Sequence, residues 1–176
     1  MFQFYPKIYY RINDYDYLRV KDISIYTKIK DYVSSYAGVT QTNYNVESGE
    51  TPDYVSYKLY GTPKFDYILL ILNDIRNVYD EWPRNRRDLE EYIEEKYGSM
   101  AYAQSNYANY YRSDGVKISK DMWFELVDSG KYFESYYEYE ERLNREKGQI
   151  KVMSYNYAVN FEVQLQEYLN NVVEIT

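Results

Sequence analysis

Residues 44–75 carry the pattern that most narrows what this chain can fold into. Tyr44-Asn45-Val46 alternates as a strand does. Ser48-Gly49-Glu50 turns the chain. Thr51 then stands as a helix N-cap, with Pro52 at the first helical position, where its missing N–H costs nothing. Val55 and Leu59 lie four apart on one face, and Gly61 ends the helix as a residue suited to the left-handed conformation. Thr62-Pro63 repeats the start signal. Phe65, Ile68, Leu69, Leu72 and Ile75 give a broad apolar face to a second helix, which Asn73-Asp74 closes. The segment therefore reads as strand, turn, helix, tight turn, helix. Two helices packed on one strand need a return strand. None follows Asn73 directly, and the best one is Gln149-Ile150-Lys151-Val152-Met153.

The fold class expected is α+β: a strand-helix-helix core whose return strand is displaced by a long insertion, with an N-terminal arm and a C-terminal helix. Four stretches follow. Residues 1–43 are an arm and connector. Phe2 and Phe4 alternate as if to add a strand to a partner or to form an edge strand, Asn13, Asp14 and Asp16 act as breakers, and Ile25, Ile29 and Val33 step at helical spacing. Residues 44–98 hold the core and a third helix, capped by Asn85, with Leu89, Tyr92 and Ile93 on one face and Gly98 at its end. Residues 99–148 are a Tyr-rich insertion. Its first part, 99–114, reads as a long loop. Val116-Lys117-Ile118 and Met122-Trp123-Phe124 suggest a hairpin, and Tyr136, Tyr139 and Leu143 a helix that stops at Gly148. Residues 149–176 give the return strand and an amphipathic helix marked by Phe161, Leu165, Tyr168, Leu169 and Val172.

Composition limits the chemistry. The 176 residues include no His and no Cys, so no Ser-His-Asp or Cys-His arrangement and no Cys/His zinc site can be built. No phosphate-cradling glycine loop is present. No pair among the 28 acidic residues is singled out for hydrolytic work. The expectation is no enzyme, no cofactor, no metal and no small-molecule substrate. A net charge of −7 disfavours nucleic acid and anionic membrane. The run Ile68–Leu72 is too short to span a bilayer, and the first residues lack a signal-peptide pattern, so a cytoplasmic site of synthesis is expected. The 27 tyrosines supply apolar area that keeps a polar tip, which suits interfaces and equally suits a small core.

The stretch from Tyr44 to Pro52, with Val55, Leu59-Tyr60-Gly61 and Ile71-Leu72-Asn73, resembles the LysM module, a strand-helix-helix-strand fold that often binds peptidoglycan or chitin. A second resemblance covers almost the whole chain. Phe4-Tyr5-Pro6-Lys7-Ile8-Tyr9, Gly49 to Pro52, Leu59-Tyr60-Gly61, Tyr67 to Asp74, Trp82-Pro83, Lys96-Tyr97-Gly98, Tyr139-Glu140 and Leu143 to Val152 occur in the order seen in the small baseplate wedge protein of contractile-tailed phages. That resemblance implies a LysM-like core split by an insertion and a virion protein of the tail baseplate. Its partners would be other wedge proteins, which it joins as the wedges close into a ring. Gly148 stands where that family often carries a basic residue.

The candidate partner-interface residues are Phe2, Phe4 and Tyr5 in the arm, Trp82, the basic cluster Arg84, Arg86 and Arg87, and Phe161 and Leu165 on the last helix. Core packing is the competing reading for Trp82, Phe161 and Leu165, and a surface patch bonded to nearby carboxylates for the arginines. Gly49, Thr51, Pro52, Gly61 and Asn73 are the fold-defining positions. The alternative function is a LysM-type peptidoglycan- or chitin-binding module.

Overall fold

Pro52 and Pro63 start helical turns, Gly61 and Gly98 stop helices, and the hydroxyls of Ser99, Ser119 and Ser135 cap three more. The computed structural model describes residues 7–11, 17–21, 30 and 41–173. The fold is α+β, and its described residues divide into two units, one drawn from 1–44, 51–76 and 150–176 and the other from 45–50 and 77–149. Phe2, Phe4, Tyr5 and the helical spacing of Ile25, Ile29 and Val33 lie outside the described residues.

In the first unit, β1 (Lys7–Arg11) and β2 (Tyr17–Lys21) pair antiparallel, with Tyr9 opposite Arg19. Strand β3 (Gln41–Asn45) pairs with β7 (Gln149–Met153), far apart in sequence. Between them come α1 (Pro52–Tyr60), a 3-10 turn over Pro63–Phe65, and α2 (Asp66–Leu72). Pro52 opens α1, and Gly61, at φ 71°, closes it by donating its N–H to Tyr57 O at 2.8 Å. Thr51 is extended at the N-cap, but its side chain makes no cap hydrogen bond. Thr62 does cap, accepting from Lys64 N.

Asn73 ends α2 and does more than cap it. Its Nδ2 donates to Leu69 O and to Lys151 O, each at 2.8 Å, and its Oδ1 accepts from Lys151 N at 2.7 Å. The side-chain amide thus serves one residue of β7 as a neighbouring strand would. Val55, Ile68, Leu69, Ile71, Ile150 and Val152 are buried, as are Phe161 and Leu165 of α8 (Tyr155–Val173). Burial of this kind stabilises by roughly 1.5–3 kcal/mol per large side chain.

The second unit holds α3 (Val78–Glu81), α4 (Arg86–Tyr97), α5 (Met100–Ser105), β4 (Tyr107–Tyr111), β5 (Lys117–Ile118), α6 (Lys120–Glu125), β6 (Tyr132–Ser135) and α7 (Tyr136–Lys147). The strands form one sheet in the order β5-β4-β6. Leu89, Ile93 and Ala103 are the buried cluster where α4 and α5 pack, with Tyr92, Tyr97, Met100, Tyr136 and Tyr137 against it.

The stretch 99–114 is not the loop its composition suggests. Ser99 caps α5 by accepting from Tyr102 N, and Tyr107–Tyr111 is the central strand of the sheet. Tyrosine has strand propensity and stacking area that a count of aliphatic residues misses. The hairpin read from 116–118 and 122–124 also differs. Strand β5 pairs with β4, and Ser119 caps a helix over 120–125. At α7 a full capping box forms: Ser135 Oγ accepts from Glu138 N, and Ser135 N donates to Glu138 Oε2. Gly148 ends that helix in right-handed backbone. Its role is space, since a Cβ there would stand 3.2 Å from Arg145 O.

Candidate partner interface

The described residues singled out from sequence are divided between the units, with Gly49, Trp82, Arg84, Arg86 and Arg87 in the second. Glu47–Glu50 is a closed turn: Glu50 N donates to Glu47 O, Glu47 N donates to Glu50 Oε2, and Gly49 takes the positive φ of 89° that the turn requires. Trp82 is 5% exposed, and its Nε1 donates to Glu50 O at 2.7 Å. Its ring therefore faces the interior of the unit and ties the turn down. Arg84 is held by its backbone, because Asn144 accepts from Arg84 N at 2.7 Å and donates to Arg84 O at 2.9 Å. Its guanidinium lies 4.3 Å from the Tyr92 ring centre.

Arg86 and Arg87 are exposed and form i,i+4 pairs with Glu90 and Glu91 at 3.0 and 2.9 Å. Water screens such exposed pairs, so they add little to stability. In the first unit, Phe161 and Leu165 are buried. Of the sequence candidates within the described residues, only Arg86 and Arg87 present their side chains largely to solvent.

A groove of about 700 Å³ in the second unit passes Val46, Leu89 and Tyr137. Its lining carries Arg84, Arg86 and Arg145 together with Glu47 and Glu141, so both signs of charge are present. Nearby, Glu140 is a buried carboxylate that accepts from Lys96 Nζ at 2.8 Å and Tyr97 OH at 2.7 Å. Burial, then the hydrogen bond to Glu140, pushes the Tyr97 phenol up to about 12. Its own polar neighbours satisfy this carboxylate, which gives it a structural place.

The larger exposed surface is one the sequence reading did not single out. From 106 to 135 the only buried residues are Asn109 and Ser135, both polar. Tyr110 pairs across to Ile118 and to Phe133, which puts these three on one face of the sheet. Trp123 of α6 lies over that face, with its ring centre 5.7 Å from that of Tyr110 and 6.0 Å from that of Phe133, and the Tyr107 and Phe133 rings meet at a tilt of 38° with centres 3.9 Å apart. Trp123 Nε1 donates to Tyr132 O, and Lys131 Nζ donates to Trp123 O and Leu126 O. These bonds fix the helix on the sheet.

Phe124 and Met122 remain 63% and 55% exposed and Phe133 41%. On the opposite face Glu134 accepts from Asn109, Tyr111 and Arg142. Burial alone would raise this carboxyl, but the bonds from Arg142 and Asn109 outweigh it and hold Glu134 below the usual range. The signals available in sequence are the strand propensity of Tyr107, Tyr110 and Tyr111 and the Ser119 cap, and the low aliphatic content masks both.

No protein-family model matches the chain, and no curated protein sequence matches it. Among the described residues, no helix is long and apolar enough to cross a membrane. Among the same residues, no group of three or more His, Cys, Asp or Glu is placed to hold a metal ion.

Proposed function

We propose that the chain is a structural subunit of a phage tail baseplate wedge, with a LysM-like core, that connects neighbouring wedge proteins and promotes closure of the baseplate ring. The observation that supports this most is the pairing of β3 with β7 on either side of α1, α2 and a long insertion. That is the strand-helix-helix-strand order with a displaced return strand that the resemblance implies. The exposed aromatic face of the insertion adds to it, because large unpartnered aromatic area is what protein-binding surfaces carry. The mechanism is passive: preformed surfaces bury rings against other subunits, with no catalytic residue and no cofactor.

The test is co-expression with the other tail subunits followed by size exclusion and mass measurement. A stable complex with a wedge subunit is expected. A chain that stays alone beside every tail subunit, yet gives heat with chitin or peptidoglycan fragments in calorimetry, would replace this reading with the glycan-binding one.

A further inference from the structure

Tyr97 stands where a phenol can give up an electron and a proton together. Its hydroxyl donates to Glu140 Oε1 at 2.7 Å. That carboxylate is 6% exposed and has its countercharge in Lys96 Nζ at 2.8 Å. The Tyr97 ring stacks on Tyr136, with centres 4.6 Å apart at 25°. Tyr136 in turn lies 6.3 Å from Tyr102 at 10°, and Tyr102 is 49% exposed. Three near-parallel rings therefore run from a buried carboxylate to the surface, all within the second unit.

We propose that Tyr97 is a one-electron oxidation site, with Glu140 as its proton acceptor and Tyr136 and Tyr102 as the path by which the electron leaves. The oxidant is a diffusing one-electron acceptor, either a high-valent metal complex or a peroxyl radical. It takes one electron from Tyr97 by way of Tyr136 and Tyr102. The phenol proton passes to Glu140 Oε1 along the bond already made, so one O–H bond breaks at Tyr97 and one forms at Glu140. What remains is a neutral phenoxyl at Tyr97, a protonated Glu140 and an oxidant reduced by one electron. The base matters because an oxidised phenol is a strong acid, and its electron leaves readily only where the proton has somewhere to go. Burial, then the bond to Glu140, pushes the Tyr97 phenol up to about 12, so at neutral pH it keeps its proton until the electron departs.

The geometry selects Tyr97 over its neighbours. Among the described residues of this unit, Tyr111 also donates its phenol to a carboxylate, Glu134, and also stacks, on Tyr132. That hydrogen bond is 3.3 Å long. Burial would raise Glu134, but the bonds from Arg142 and Asn109 hold it below the usual range, so it takes up a proton less readily. Exposure alone would select Tyr79, which is 89% exposed.

The experiment uses the full chain and ruthenium(III) tris(bipyridine), made by a light flash from the ruthenium(II) complex with pentaamminechlorocobalt(III) as quencher. Transient absorbance follows phenoxyl formation, and electron paramagnetic resonance reads the radical that persists. Tyr97→Phe keeps the stack and should remove the persistent radical, while Tyr79→Phe should leave it unchanged. Glu140→Gln should slow formation about a hundredfold, the low end of what a positioned proton acceptor contributes. Heavy water should slow formation in the wild type, and Tyr102→Phe should slow it without moving the final radical. If Glu140→Gln melts early, the heavy-water effect in the wild type, set against its absence in Tyr97→Phe, carries the test. A persistent radical that survives Tyr97→Phe, or that is lost with Tyr79→Phe, overturns the proposal. So does a rate of formation that neither heavy water nor Glu140→Gln changes.

Discussion

The two units bury different chemistry. The first has Val55, Ile68, Leu69, Ile71, Ile150 and Phe161 in its interior, each nearly or fully shielded from water. The second buries only Trp82, Leu89, Ile93 and Ala103 among its apolar residues. It closes instead with tyrosine stacks such as Tyr97 on Tyr136, with the buried Glu140 bonded to Lys96 and Tyr97, and with a tryptophan that holds a turn. Aliphatic burial is non-directional and depends on shape. Ring stacking and buried hydrogen bonds are directional and fail when one partner is lost. The first unit should therefore suffer most from cavities, and the second from the loss of single polar contacts.

The largest effect is expected where the first unit is densest. Phe161→Ala should lower stability by about 3–5 kcal/mol, read from the urea midpoint at constant slope. A loss under 1 kcal/mol would mean that this interior is loosely filled, and the contrast between the units would weaken.

The next effect compares two asparagines that do the same work in different units. Asn73 serves both backbone groups of Lys151, and Asn144 serves both of Arg84. Asn73→Ala removes three hydrogen bonds and Asn144→Ala two, so each should cost about 1–3 kcal/mol, with Asn73 the larger. Amide exchange should quicken at Lys151 in the first variant and at Arg84 in the second. Faster exchange at both sites in either variant would show that the units open together.

These differences explain what could be read in the sequence. The starts at Pro52 and Pro63, the stops at Gly61 and Gly98, and the strand at 149–153 were legible because proline, left-handed glycine and alternating aliphatic residues carry local signals. The sheet of the second unit was not, because β4 pairs with both β5 and β6 through tyrosines that also suit a loop. Asn73 was legible as a helix end, but its bonds to Lys151 depend on a partner 78 positions away. Trp82 was visible as an aromatic anchor, and only the fold shows that its partner is Glu50 O.

Caps sharpen the comparison at smaller magnitude. Sequence marks Thr51 as a cap, yet its hydroxyl makes no cap bond, whereas Ser135 closes a full capping box. Ser135→Ala should therefore cost about 1 kcal/mol, and Thr51→Ala only a few tenths. Thermal melts of the two variants side by side decide it. An equal loss would mean that the Thr51 hydroxyl finds the cap bond in solution.

The smallest expected effect is a difference in sign between the units on acidification. Glu134 in the second unit is held below the usual carboxylate range by Arg142 and Asn109 against the cost of burial. Asp66 in the first unit is raised by burial, partly offset by the bond from Tyr67 N. A lowered folded value means that the ionised form is favoured. Glu134 therefore stabilises above the unfolded carboxylate value, and that stability is lost as pH falls through the folded value. A raised folded value reverses this. Asp66 favours the protonated form, so its contribution is full below the unfolded value and is lost as pH rises through the folded one. Arg142 is 38% exposed, so solvent screens the Glu134 term and keeps it below that of a cap. Between neutral pH and pH 3, amide exchange should quicken in β6 and β4 while Asp66 protonation partly protects α2. Glu134→Gln should flatten the acid response of the sheet, and Asp66→Asn should remove the protection. If both segments loosen in parallel and neither variant alters the profile, the acid response belongs to the net charge of the whole chain and not to these two carboxyls.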